Sequence, residues 1–361
     1  MDYTKVLKRA WHTVWNYRAL WIFGILLALT TGGRSWSAAR GDGDGRFPYS
    51  FRAEDLFRFE MGEIPLPEVV SILIAVGVAL ACVIVILIIA ATIARYVAET
   101  ALIRMVDDYE ETGQRHSVRE GFRLGWSRTA WRLFLINLLT ALPVMLAVFL
   151  LLLLGLALFL LVTAGGSKVV GVAAPVTAIG VGIPIILLAI VAGVVLSLLR
   201  QFFWRACALE ELGVIESIRQ GFDVVRRHLK DVVIMWLIMI AVQIGWVIAL
   251  IATAILLFPA IILLIAVGGV LGGLPALLVG GLASLFFEGA VPWIVAGMVG
   301  LPIFILVMAA PWMFLGGLME VFKSSVWTLT YQELRALESL EVESEQLPRL
   351  DASGLEAAPS A

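Results

Sequence analysis

Charge is scarce in this chain, and what there is avoids whole regions. No Asp, Glu, Lys, Arg or His falls within residues 69–94, 133–167, 169–199, 232–287 or 289–319. Each of these runs exceeds the roughly 20 apolar residues that cross a bilayer core. Charged residues make up 15% of the chain and hydrophobic ones 61%, with a mean hydropathy of +0.98. Soluble domains hold about 25% and about 45–50% respectively. A soluble globular protein is thereby excluded, and the chain reads as an all-α, polytopic helical membrane protein. Cysteine and histidine are scarce too. Cys82, in an apolar run, and Cys207, in a polar connector, make no disulfide framework. His12, His116 and His228 lie apart in polar segments without metal-ligand spacing, and solvation is their ordinary state. The acidic pairs Asp107/Asp108 and Glu110/Glu111 have no partner set for acid–base work. No P-loop, metalloprotease helix or nucleophile–base constellation occurs. The expectation is a protein that is not an enzyme and has no cofactor and no nucleic-acid partner.

What is present is a repeat. Residues 110–122 read EETGQRHSVREGF and residues 210–222 read EELGVIESIRQGF, identical at seven of thirteen positions. Internal similarity at a fixed offset marks a duplicated structural unit. Gly113 and Gly213 stand where a helix C-terminus favours the left-handed conformation. Ser117-Val-Arg-Glu120 and Ser217-Ile-Arg-Gln220 have the S-x-x-E/Q form of a capping box. The spacing therefore predicts a stem helix ending at each glycine and a new helix capped by each serine, which continues through Gly121-Phe122 and Gly221-Phe222. Before the first break, the stem Arg95–Glu111 offers Arg95/Glu99 and Arg104/Asp108 as i,i+4 pairs. The two new helices set Val118, Phe122 and Trp126, or Ile218, Phe222, Val225 and Leu229, against Arg and Lys, the pattern of an interfacial amphipathic helix.

The N-terminus supports two readings. Met1–Arg18 and the apolar run Ala19–Thr31 have the form of a signal peptide, with Ser37-Ala38-Ala39 as a cleavage site. Lys5–Trp15 also aligns without gaps on the repeats, as Leu7/Val118/Ile218, Trp11/Phe122/Phe222 and Val14/Gly125/Val225. A disposable leader has no reason to copy the mature unit, so the second reading is preferred.

About six spans follow, near 17–32, 69–96, 131–163, 172–200, 231–258 and 291–320. They form three duplicated hairpins, each preceded by a cytoplasmic amphipathic helix. The units are 1–96, with an external loop over 33–67, then 97–200, then 201–340, and an acidic tail over 341–361 expected to be disordered. The loop's Gly41-Asp42-Gly43-Asp44-Gly45 lacks the spacing and closing Glu of a calcium loop. Of the 26 Lys and Arg residues, 20 fall in the segments that this topology puts on the side of the termini. The positive-inside rule then places both termini in the cytoplasm of a cell-membrane protein. Residues 260–286, uncharged and Gly-rich around Pro275, would upset that parity as a single crossing, so a re-entrant or interfacial pair is expected there.

Candidate contacts are few. Arg119, Arg123, Arg128, Arg219, Arg226, Arg227 and Lys230 are candidates for lipid headgroups, each contributing about 1 kcal/mol near an anionic surface. Asn137 and Gln243, amides within the spans, would line a substrate path or bond between helices. Gly268/Gly272 and Gly269/Gly273 have G-x-x-x-G spacing. The run Arg200–Lys230, with the N-terminal WNYRALWIFGILLAL and the closing VFKSSVWTLTYQELRAL, resembles a class of bacterial inner-membrane multi-pass proteins. It is similar to the membrane domain fused to some glycerophosphodiester phosphodiesterases, whose catalytic barrel is absent from this sequence. The resemblance implies the membrane fold and no catalytic residues. The expected role is an envelope or lipid-associated scaffold or accessory subunit. Its partners would be membrane lipids and a membrane or cytoplasmic protein. The alternative is a transporter or flippase for an amphipathic substrate.

Overall fold

The computed structural model describes the backbone of residues 1–39, 66–164, 170–285, 289 and 291–356. The Asp-Gly run of the loop and Lys168 lie outside the described residues. Ten helices occur among them, and no strand. In the first half, α1 spans Tyr3–Asn16, α2 Ala19–Ala39, α3 Leu66–Thr112, α4 Val118–Gly125 and α5 Arg128–Ala164. In the second, α6 spans Val170–Leu209, α7 Val214–Arg227, α8 Leu229–Leu256, α9 Phe258–Ala283 and α10 Val291–Glu356. Six of these, α3, α5, α6, α8, α9 and α10, are long and apolar enough to cross a membrane, while α1 and α2 form a pair bent by 100°. The stretch expected as a disordered tail continues α10 as far as Glu356, its Glu and Leu residues being good helix formers.

The buried core lies outside the most apolar runs. Ile86, Leu87, Leu188 and Leu256 are all more than half exposed, as suits side chains whose solvent is lipid. The stems form the core instead. Leu102 and Met105 of α3, Phe202 of α6, Val224 of α7, Met235 of α8 and Val321 of α10 pack together with Val6, Ala10, Leu20 and Phe23 of the first pair. Removing α1 and α2 as a leader would open this core. Several buried hydroxyls are satisfied within their own helices: Thr100 donates to Tyr96 O, Ser325 to Val321 O and Thr330 to Val326 O. Where α2 crosses α10 the backbones touch, because a Cβ on Gly24 would stand 2.3 Å from Gly317 O.

Two expectations for the stems fail in detail. Arg104 leaves Asp108 and reaches Thr129 Oγ1 at 2.9 Å and Glu211 Oε1 at 2.9 Å, while Asp108 meets His116 at 3.0 Å. Glu99 is buried, and it shares a chamber wall with Arg95 in place of an exposed pair. Both corrections have one cause. The stems pack on one another, and neighbouring helices offer partners that the helix's own next turn cannot.

The re-entrant pair is also corrected. Residues 258–283 form one helix, α9, which passes through Pro275 without a break. It lies antiparallel on α10: Gly268 faces Phe304, Gly272 faces Gly300 O, and Gly280 faces Ala296. Small residues let the two backbones close in, and that contact holds a proline-containing helix together. Gly269 and Gly273, the other G-x-x-x-G register, meet nothing. Helix α8 approaches α10 at its start and again across a chamber. It starts with His228 beside Glu338 and passes Gln243 in the same chamber as Glu320. Helices α8 and α9 are joined at Leu257, whose N–H donates to Thr253 O and whose carbonyl accepts from Ile261 N.

The two connectors break at different places. In the first, α3 ends at Thr112. Gly113 takes φ +69° and donates its N–H to Tyr109 O at 3.0 Å. Ser117 then caps α4: its hydroxyl accepts from Glu120 N and its N–H donates to Glu120 Oε2 at 2.8 Å. In the second, α6 stops at Leu209 and the left-handed residue is Glu211, with φ 53°. Gly213 begins the next helix, as N-cap with φ −66° and ψ 165°, against −71° and 161° for Ser117. Its N–H donates to Glu216 Oε2 at 3.2 Å. Ser217 is therefore buried one turn inside α7 and donates to Gly213 O at 2.7 Å. The expectations that Gly213 ends a stem, that Ser217 caps and that Gln220 returns to the cap are corrected. The reason lies in three consecutive residues that differ. Val214-Ile215-Glu216 places a carboxylate three residues after Gly213 and an apolar Val214 against the core around Phe203, whereas Gln114-Arg115-His116 does neither. Arg132, donating to the carbonyls of Glu211 and Leu212, holds the early end of α6.

Candidate functional site

The short helices present one pattern of exposure three times. Gly121, Gly221 and, at the aligned position in α1, Ala10 are buried against a neighbouring helix. A Cβ on Gly121 would lie 2.5 Å from Met105 Sδ, and one on Gly221 would lie 2.7 Å from Phe203 Cδ1. The aligned aromatics Trp11, Phe122 and Phe222 are each about half exposed, at 51%, 39% and 48%. The expected apolar face is divided: Phe122, Trp126, Phe222 and Leu229 are exposed, as an interfacial helix directs them, while Val225, like Gly121 and Gly221, is buried against the stems. All seven basic candidates, Arg119, Arg123, Arg128, Arg219, Arg226, Arg227 and Lys230, are exposed. Arg227 also stands 3.9 Å from Glu338.

The repeated glutamates clamp these layers. Glu110 receives Arg9 of α1 at 2.5 Å and the Thr13 hydroxyl at 3.0 Å. Glu210 receives Arg335 of α10 at 2.9 Å and the Tyr331 hydroxyl at 2.5 Å. The Tyr3 hydroxyl donates to Asp231 at 2.5 Å, and that bond pushes the Tyr3 pKa up to about 12. The backbone N–H of Ser117 holds the Glu120 carboxyl below the usual glutamate range.

A chamber of about 410 Å³ lies among α2, α3, α6, α8 and α10. Arg95 and Glu99 come from α3, Arg200, Gln201 and Trp204 from α6, Trp236 and Gln243 from α8, and Glu320, Lys323 and Ser324 from α10. Lys323 stands 4.0 Å from Glu320, and Arg200 donates to Asn137 Oδ1 at 2.7 Å with its guanidinium over the Trp204 ring. Asn137 thus serves a bond between helices, and Gln243 faces the chamber. Behind the floor, Arg205 is 1% exposed and ties α6 to α10 by donating to Ser324 O at 3.1 Å. Trp204 Nε1 and Ser324 Oγ, both buried, have no hydrogen-bond partner. Sequence reasoning missed this site, although its signal was on the page. Arg95, Arg200 and Glu320 are the first charged residues after three of the uncharged runs. A larger groove of about 590 Å³ between α3 and α5, walled by Ile88, Ile93, Trp131 and Phe134, is nearly all apolar. It has few groups to orient a ligand.

Helices of this length and apolarity, wrapped around a stem bundle with a charged chamber, define a polytopic helical membrane protein. The chain belongs to a family of unknown function (DUF7544), matched over residues 14–333. No curated protein and no solved structure matches it.

Proposed function

We propose that the protein is a non-catalytic, lipid-associated membrane component, a scaffold or accessory subunit of the cell envelope, that grips anionic lipid through α4 and α7. The observation that carries this is the exposure of all seven basic candidates beside outward-facing Phe122, Trp126, Phe222 and Leu229. The Lys and Arg bias supports termini in the cytoplasm, and a path in which α9 prolongs α8 keeps that parity. The three-fold exposure pattern supports descent from one duplicated unit. The likeness of Arg200–Lys230 to the membrane domain fused to some glycerophosphodiester phosphodiesterases supports the lipid association. Replacing Arg226 and Arg227 by Glu should cut the anionic lipid retained by the purified protein, counted by mass spectrometry, at least tenfold. Unchanged retention would remove the basis for this reading.

A second reading, movement of an amphipathic substrate, is favoured by the chamber with Gln243 at its edge. Proteoliposomes that move labelled lipid no faster than protein-free vesicles would exclude it.

A further inference from the structure

We propose that the chamber binds the phosphate-bearing headgroup of a membrane amphiphile, which enters sideways between α6 and α8. This rests on the amphipathic ligand of the second reading and names the chemistry that selects it.

The charge balance points to an anion. Three cations, Arg95, Arg200 and Lys323, face two carboxylates, Glu99 and Glu320, and the buried Arg205 lies behind the floor. Of the carboxylates, Glu320 has a cationic neighbour of its own, Lys323 at 4.0 Å. Ionisable groups buried among helices are costly unless they pair or serve a ligand. The floor adds two donors without acceptors, Trp204 Nε1 and Ser324 Oγ, on side chains only 5% and 4% exposed. Buried donors are ordinarily satisfied, and a phosphate, with several acceptor oxygens, suits two such donors beside Lys and Arg.

The surroundings make that anion the head of an amphiphile. Ser197 of α6 and Gln243 of α8 are exposed at the edge of the chamber. Their neighbours on the same helices, Val194, Val195, Ile244 and Val247, are exposed aliphatics. A headgroup in the chamber therefore leaves its tail against lipid-facing side chains. The wall holds three indoles, Trp204, Trp236 and Trp327, the side chain that favours headgroup depth. The volume falls within the roughly 300–1,000 Å³ of ordinary ligand sites.

The test uses the full chain in uncharged detergent with three probes: dihexanoyl phosphatidic acid, dihexanoylglycerol and inorganic phosphate. The first should raise the melting temperature saturably, and the other two should not at the same concentrations. Lys323→Gln and Arg95→Gln should each raise its half-saturating concentration at least tenfold, Lys323→Arg should restore it, and Arg226→Glu with Arg227→Glu should leave it unchanged. An equal response to dihexanoylglycerol would overturn the phosphate, and saturation by inorganic phosphate alone would overturn the amphiphile. A response that survives both chamber variants, or is lost only with Arg226 and Arg227, would place binding on the surface and refute the chamber. The surface reading would itself remain intact. If the glutamine variants fail to fold, the three probes on the unaltered chain decide the ligand, and the variant carrying Arg226→Glu and Arg227→Glu decides the place, because loss of the response there would refute the chamber.

Discussion

Residues 110–122 and 210–222 share seven of thirteen positions, yet their helices restart four residues apart in the aligned frame, at Val118 and at Val214. The backbone geometry of the cap is the same in both, and only the residue that adopts it has changed, from Ser117 to Gly213. The three intervening residues decide where it falls. A polar Gln-Arg-His stays outside the helix, while Val-Ile-Glu carries its own cap partner and a side chain for the core. The shared Gly121 and Gly221 keep one task across the shift, which is to admit the neighbouring helix. A repeat can thus preserve a packing contact while its turn chemistry drifts.

The largest expected effect probes the packing. At Gly125 a Cβ would stand 2.3 Å from Val97 O, whereas the aligned residue of the other unit is a buried Val225. Gly125→Val, which copies the second unit into the first, should cost about 3 kcal/mol, the upper end for overpacking against backbone. The fall in melting temperature of the purified protein measures it. A neutral result would mean that the two packing sites are interchangeable.

A smaller effect separates the caps. Ser117→Ala should cost about 1 kcal/mol, because it removes an N-cap. Ser217→Ala should be nearly neutral, because Gly213 O keeps its bond from Ser217 N at 2.9 Å and Ala has the better helix propensity. Equal losses at the two serines in chemical denaturation would break the contrast.

The smallest effect is a pH dependence in the first connector. The Glu120 carboxyl is held below its ordinary value by Ser117. Its contribution is therefore complete above the unfolded glutamate pKa and is lost as pH falls through the depressed folded value. Amide exchange in the first turn of α4, corrected for intrinsic rates, should rise on acidification. In Glu120→Gln that rise should vanish. A rise of the same size in the variant would show that another group is responsible.

How much of this was legible differs by element. The break after Thr112, the glycine at Gly113 and the capping box at Ser117 could be read directly, since each depends on residues within one turn. The same rule misplaced the cap at Ser217. Glu216 three residues after Gly213 offered a competing cap, and only packing of Val214 decided between them. The outward side of Phe122 and Phe222 was legible as the apolar face of an interfacial helix, whereas the burial of Val225 was not, because hydropathy does not say whether an apolar side chain meets protein or lipid.

The sequence by itself determined the class of molecule and the positions of α3, α5, α6, α8 and α10. Uncharged runs longer than a bilayer core leave no other economical solvent for the backbone or the side chains. Only the tertiary structure decided that the charged stems form the core, that residues 258–283 make one helix on α10, and that Arg95, Arg200 and Glu320 share a chamber. The physical reason is range. Hydropathy and capping are sums over neighbours in the chain, whereas these three outcomes depend on which helices cross and how closely their small residues let them approach. Residues more than 200 positions apart, such as Arg95 and Glu320, meet in the chamber only because five helices converge there.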